Sequence, residues 1–196
     1  MRVDESDIAT AGVCNRRLAG VLRAGCVLIA AISAGCAGTR SMSPPAVPAT
    51  LRPPADQALL LRTYAKGVQI YQCVASAEQP PHFEWKFKQP EAQLSDRSGR
   101  TLATHYAGPT WKASDGSEVV GEVRAHEDAP SASAIAWLLL SAKSHAGSGV
   151  FSNVSSIQRL NTAGGKAPAE ACGADNVEQL ARVPYTAEYI FYVPKR

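Results

Sequence analysis

Residues 92–123 read AQLSDRSGRTLATHYAGPTWKASDGSEVVGEV, and they decide the fold class. Short runs with apolar and β-branched residues flank Ser98-Gly99, and similar runs flank Asp115-Gly116-Ser117. Small and polar turn residues between two such runs are typical of β-hairpins. The stretch therefore predicts two successive hairpins in a meandering antiparallel sheet.

The preceding segment extends this β pattern. Phe83, Trp85 and Phe87 alternate with charged residues, and a period of two places the aromatic rings on one face of a strand. Before them, ALLLRTY and VQIYQCV lie on either side of residues 65–67. Their β-branched and aromatic content predicts a further hairpin with its turn at 65–67.

The second half of the chain supplies the remaining β candidates. Residues 134–146 fit either a short helix or a buried strand, and we favour the strand. Residues 154–162 form another candidate, and residues 183–193 place alternate side chains on one side, namely Tyr185, Ala187, Tyr189, Phe191 and Val193. The whole pattern predicts a mainly β, single-domain β-sandwich or barrel of about ten short antiparallel strands with long loops.

The first 36 residues predict a signal peptide. The uncharged run AGCVLIAAISAG at 24–35 follows Arg16, Arg17 and Arg23, which is the order of charge and apolar residues in secretory signals. Ser33-Ala34-Gly35-Cys36 is similar to a lipobox, so Cys36 is a candidate for lipidation, with ordinary cleavage as the alternative. We expect an exported protein, either lipid-anchored in the periplasm or outer membrane, or secreted.

Two further divisions follow the signal peptide. Residues 37–56 hold five of the 13 prolines and predict a Pro-rich tether, which leaves residues 57–196 as the β-rich domain. Only Cys73 and Cys172 remain beyond the signal peptide. An even pair of cysteines in an oxidising compartment predicts one disulfide.

Charge and motif spacing argue against several classes of function. A formal net charge of +3 is too small to indicate binding to nucleic acid or to an anionic membrane surface. The lipid at Cys36 is therefore the only expected contact with a membrane. The glycine-containing stretches 147–149 and 164–166 are not followed by the other residues that dinucleotide-binding and phosphate-binding loops require. The four histidines do not have the short spacings of metal ligands, so we expect neither a cofactor nor a metal.

The densest candidate site is His105 to Trp111, HYAGPTW, with Asp115 shortly after it. Aromatic rings stack on flat apolar ligands while neighbouring polar groups satisfy hydrogen bonds. A second polar group lies in RLNTAGGK at 159–166, although a structural role for both groups stays open. The candidate ligand-binding residues are His105, Tyr106, Trp111, Asp115, His145, Arg159, Asn161 and Lys166.

Several motifs carry a family resemblance. GVQIYQC, THYAGPTWKASDGSEVVGEV, AIAWLLLSAKSHAGSGVF, IQRLNTAGGKAPAEAC and VPYTAEYIFY, in this order, resemble domain of unknown function family 3455 over residues 57–192. This family occurs in bacteria and fungi. The resemblance supports the boundaries of the domain and implies no mechanism.

Two functions compete on this sequence. The first, which we favour, is a non-catalytic binding or structural module that contacts another, unidentified component of the cell envelope. The alternative is an extracytoplasmic, hydrolase-like enzyme in which His105 or His145 acts as general acid or base and Asp115 orients it.

Overall fold

The computed structural model describes residues 43–78 and 80–196. Its eight antiparallel strands form a closed barrel in which each strand pairs with the next and the last pairs with the first. The strands are β1 (Gln57–Ala75), β2 (Phe83–Ser95), β3 (Thr101–Tyr106), β4 (Thr110–Ala113), β5 (Glu118–Glu127), β6 (Trp137–Ala146), β7 (Ser156–Gly164) and β8 (Leu180–Pro194). The mainly β prediction is confirmed, with a barrel of eight strands in place of about ten.

Three of the sequence-based elements are confirmed. The hairpins β2–β3 and β4–β5 turn at the predicted positions, and Gly116 has the positive φ of 90° that its turn requires. Residues 137–146 form the strand β6, which pairs with both β5 and β7. Pairing on two sides therefore overrides the local helix preference of its alanines and leucines.

The hairpin predicted around residues 65–67 is wrong, because β1 runs unbroken through them. Gly67 pairs with Ala92 on one side and with Tyr185 on the other. A β-carbon on Gly67 would collide with the backbone of Glu91 and Ala92. The glycine thus marks a close approach between neighbouring strands and not a turn.

Buried side chains pack inside the barrel and also cover part of its outer face. Tyr185, Ala187, Tyr189 and Phe191 of β8 are buried in the interior cluster, as their alternation predicts. The intervening Ile190 and Tyr192 are buried too, in a second cluster with Leu51 and Leu160. Strand β8 is therefore covered on both faces over residues 189–192, whereas Thr186 is exposed.

We call this second cluster, with Trp137 packed against it, the outer cluster, and it shows where part of the expected tether lies. Residues 49–51 form a short 3-10 helix, Ala49–Leu51, and Leu51 is fully buried. The Gln158 amide Nε2 donates to the Leu51 carbonyl oxygen at 2.6 Å. This end of the Pro-rich segment packs on the barrel, because Leu51 supplies the apolar cover that Ile190 and Tyr192 require. The predicted signal peptide and Cys36 lie outside the described residues.

One end of the barrel is closed by residues 147–155. Phe151 and Val154 are buried, and the Phe151 ring stacks on Phe191 with centroids 4.6 Å apart. Asp115 accepts a hydrogen bond from the Val150 amide at 2.7 Å and others from Ser117. These bonds hold the pKa of the Asp115 carboxyl below its usual value and fix the loop across what we call the closed end.

The opposite end carries the connections 107–109, 128–136 and 165–179, and we call it the open end. Cys73 of β1 and Cys172 lie at disulfide distance, with Cα atoms 5.7 Å apart, so the predicted pair joins β1 to the connection 165–179. The Tyr71 hydroxyl donates to the Gly165 carbonyl at 2.6 Å and fastens the same connection. No helix in the described part of the chain is long and apolar enough to cross a membrane.

Candidate functional site

A cavity of about 560 Å³ lies inside the barrel at its open end. Its wall is mostly apolar and aromatic, and includes Tyr71, Phe87, Trp111, Leu138, Leu140 and Tyr189. Pockets that enclose small organic molecules have volumes of roughly 300–1,000 Å³ and the same mixture of apolar walls and few polar groups. The barrel therefore has room for a small molecule.

The cavity opens because the β3–β4 hairpin is short. Strand β2 pairs with β3 only over Ala92–Ser95, and β5 pairs with β4 only over Glu118–Val120. The remaining parts of β2 and β5 extend past the hairpin towards the open end. Phe87 and Val123 line the cavity on these two strands, and each is 49% exposed. Two large apolar side chains thus stand at the rim in contact with solvent.

Three aromatic rings form the floor of the cavity. The His105 ring is stacked on Trp111, with centroids 4.4 Å apart and planes 8° from parallel. Tyr189 meets both rings edge-on, at 5.1 Å and 5.4 Å. A β-carbon on Gly121 would lie 2.9 Å from the indole of Trp111, so glycine leaves the space that this ring occupies. The floor is a packed aromatic cluster.

His105 is held in one protonation state by its surroundings. It is 3% exposed, and its Nδ1 lies 2.9 Å from the Thr110 carbonyl oxygen, which can only accept, so Nδ1 carries the hydrogen. Burial lowers the pKa of His105 from 6.5 to about 3. The imidazole is therefore neutral at physiological pH.

This burial predicts a pH-dependent stability. The unfolded chain takes up a proton at His105 below pH 6.5, which the folded chain resists until about pH 3, so the free energy of unfolding falls as the pH drops through this window. At pH 5 the loss amounts to about 2 kcal/mol. We expect urea unfolding at pH 7 and pH 5 to show it in the parent and not in His105→Gln. An equal loss in both proteins would contradict the buried, neutral imidazole.

Arg159 brings a positive charge into the cavity. Its Nε and Nη2 donate to the Ala136 carbonyl at 3.0 Å and 2.9 Å, and no carboxylate lies within 4.0 Å of it among the described residues. Its charge lowers the pKa of His105 and opposes the burial that raises the pKa of Tyr71 and of Tyr189. The positive charge of the guanidinium therefore lowers the pKa of ring side chains in both the wall and the floor of the cavity.

The sequence-predicted residues divide into two groups. His105, Trp111, Arg159 and Lys166 line the cavity. The other four do not line it: Tyr106, Asp115, His145 and Asn161. Strands β3, β4 and β7 and the connection after β7 bring the first group together, although more than fifty residues separate Trp111 from Lys166 along the chain.

The four residues outside the cavity have other partners or positions. The Tyr106 hydroxyl donates to Glu118 at 3.3 Å, and Asn161 has a positive φ of 49° in a β-bulge of β7. Asp115 and His145 belong to the closed end, where His145 Nε2 lies 2.8 Å from the Val154 carbonyl oxygen. The hydrogen bonds of His105, Asp115 and His145 thus go to different partners, and the structure does not assemble them into one site.

Sequence reasoning missed Gln69, Tyr71, Lys88 and Tyr189 as members of the site. All four line the cavity. The alternation of β8 placed Tyr189 on the inward side, but its contact with His105 depends on closure of the barrel. Gln69 and Tyr71 follow the false turn at 65–67, and an unbroken strand through that turn would have placed both on β1.

No cluster of three or more His, Cys, Asp or Glu side chains in residues 43–78 and 80–196 could hold a metal ion. The fold and the cavity define the class of protein: an eight-stranded antiparallel β-barrel with a mainly apolar cavity open at one end. The chain belongs to the family described as "Protein of unknown function (DUF3455)", whose model matches residues 54–193. No curated protein and no solved structure matches the chain significantly.

Proposed function

We propose that this protein is a non-catalytic binding module that takes a small, largely apolar molecule into its barrel. The cavity of about 560 Å³ carries this proposal, because its floor is packed while its rim leaves Phe87 and Val123 in solvent. Barrels of eight strands are wide enough to hold one small ligand. Binding is favoured when a ligand covers apolar side chains at the rim of a cavity and removes them from water.

The state of His105 favours binding over acid–base catalysis. A general base works best with a pKa near the operating pH. The pKa of His105 is lowered to about 3, and its Nδ1 is already bonded to Thr110. A neutral imidazole stacked on Trp111 is well suited to a rigid binding surface.

We propose further that binding takes place outside the cytoplasm. The signal-like run at 24–35 supports this location, and so does the pairing of Cys73 with Cys172, because disulfides persist in oxidising compartments. Lipidation of Cys36 would keep the barrel at a membrane surface. Maleimide labelling of the protein taken directly from cells tests the location, since two free, reactive thiols would contradict it.

The binding proposal predicts the effect of filling the cavity. Ala136 is half-buried and lines it, so Ala136→Phe should occupy part of the space. We expect the neutral dye N-phenyl-1-naphthylamine to bind the parent with increased fluorescence and to bind Ala136→Phe at least about tenfold more weakly. Titration of the purified protein measures both affinities.

The matched control is Ala146→Phe, which adds the same ring at an exposed residue outside the cavity. It should bind the dye as the parent does. Equal weakening by both substitutions, or no dye binding by the parent, would contradict the proposal. Melting temperatures of the three proteins show whether Ala136→Phe is folded.

A further inference from the structure

We infer that the molecule bound in the barrel carries a carboxylate on an apolar body, and that Arg159 recognises this carboxylate. The inference rests on the proposed binding function and names the class of ligand. Two features of the cavity support it: the sign of the charges that line it and the remaining hydrogen-bond donors of Arg159.

The charges that line the cavity are all positive. Arg159, Lys88 and Lys166 line it, and no Asp or Glu does so within the part of the chain that the structure describes. Several basic side chains elsewhere on the barrel have acidic partners, for example Arg62 with Glu188 and Lys112 with Glu118. Arg159 instead donates to a neutral carbonyl. A partly buried cation without a counter-ion is costly, and an anionic ligand would supply the counter-ion.

The guanidinium of Arg159 still has donors free for such a ligand. Two of its five N–H groups are directed to the Ala136 carbonyl and one to the Tyr189 hydroxyl, which leaves two. The planar guanidinium matches the two oxygens of a carboxylate. The apolar walls, with Phe87, Val123 and Leu138, would accommodate the rest of the molecule.

Displacement of bound N-phenyl-1-naphthylamine tests the inference. The competitors are decanoate and 1-decanol, which have the same chain length and differ in the charge of the head group. We expect decanoate to displace the dye from the parent at a concentration at least about tenfold lower than 1-decanol does. Arg159→Met should abolish this preference.

The control variant is Arg100→Met, which removes the same charge from an exposed turn at the closed end of the barrel. It should keep the preference for decanoate. Dye affinity within about twofold of the parent shows that the cavity is intact in each variant. Equal displacement by both competitors in the parent, or an unchanged preference in Arg159→Met, would overturn the carboxylate and leave the binding function standing. A parent that binds no dye would remove the binding function and this inference with it.

Discussion

Replacing Trp111 with alanine is expected to lower the free energy of unfolding by about 3–5 kcal/mol, the usual cost of truncating a large buried aromatic side chain. Trp111 is 1% exposed and its indole contacts the rings of His105, Tyr189 and Phe191. Removing it leaves a hole beneath the cavity that the barrel strands cannot close by moving together. Urea unfolding at pH 7 measures the loss.

Trp111→Phe separates packing from hydrogen bonding at the same position. It keeps an aromatic ring and removes the Nε1–H, which has no partner in the protein. Because no hydrogen bond within the protein is lost, we expect this variant to lose less than half as much stability as Trp111→Ala. A cost below about 1 kcal/mol for Trp111→Ala would contradict the packed floor described here.

Removing the bridge between Cys73 and Cys172 is the second large expected effect. The two residues are 99 positions apart, and on the loop-entropy account a bridge over such a loop contributes about 4–5 kcal/mol as an upper figure. The Cys73→Ala, Cys172→Ala double variant should lose stability of this order. Unfolding in guanidinium chloride, with the parent and the double variant side by side, measures it.

The reduced parent is the control for this prediction. A phosphine reductant should bring the parent close to the double variant and leave the double variant unchanged. The connection 165–179 carries Lys166 and is also held through Tyr71, so both proteins should retain the barrel. Equal stability of the parent and the double variant under oxidising conditions would contradict a bridge in the folded protein.

Local patterns predicted most of the strands. Turn residues such as Asp115-Gly116 and the alternation in β8 are properties of neighbouring residues, and the structure confirms them. Gly67 shows the limit of local sequence patterns, because a glycine is equally typical of a turn and of a close approach between strands. Only its partners Ala92 and Tyr185 distinguish the two cases, and both are distant in the sequence.

Local sequence patterns also could not predict that the strands close into a barrel. It depends on the pairing of β1 with β8, the first and last strands of the domain. A sandwich and a barrel use the same alternating strands, so the sequence left both architectures open. The cavity exists only because the strands close around it.

The candidate site shows the same division. The aromatic and polar residues from His105 to Trp111 predict a candidate site, and in the structure His105 and Trp111 lie in the floor of the cavity. The positions of Gln69, Arg159 and Tyr189 relative to that floor depend on three other strands. In the sequence Asp115 and His145 are equally suitable as members of the site, but in the structure their hydrogen-bond partners lie at the closed end of the barrel.

The most direct test of the central claim is a two-dimensional ¹⁵N–¹H NMR titration that follows the three tryptophan indole N–H signals while N-phenyl-1-naphthylamine is added. Trp111 lines the cavity with an unpaired Nε1, Trp85 donates to the Glu170 carbonyl at 3.0 Å, and Trp137 packs in the outer cluster. Binding in the barrel predicts a large, saturable shift of the Trp111 signal, with small changes at Trp85 and Trp137. Saturable dye binding that leaves the Trp111 signal in place, or that shifts mainly Trp137, would contradict a binding site inside the barrel.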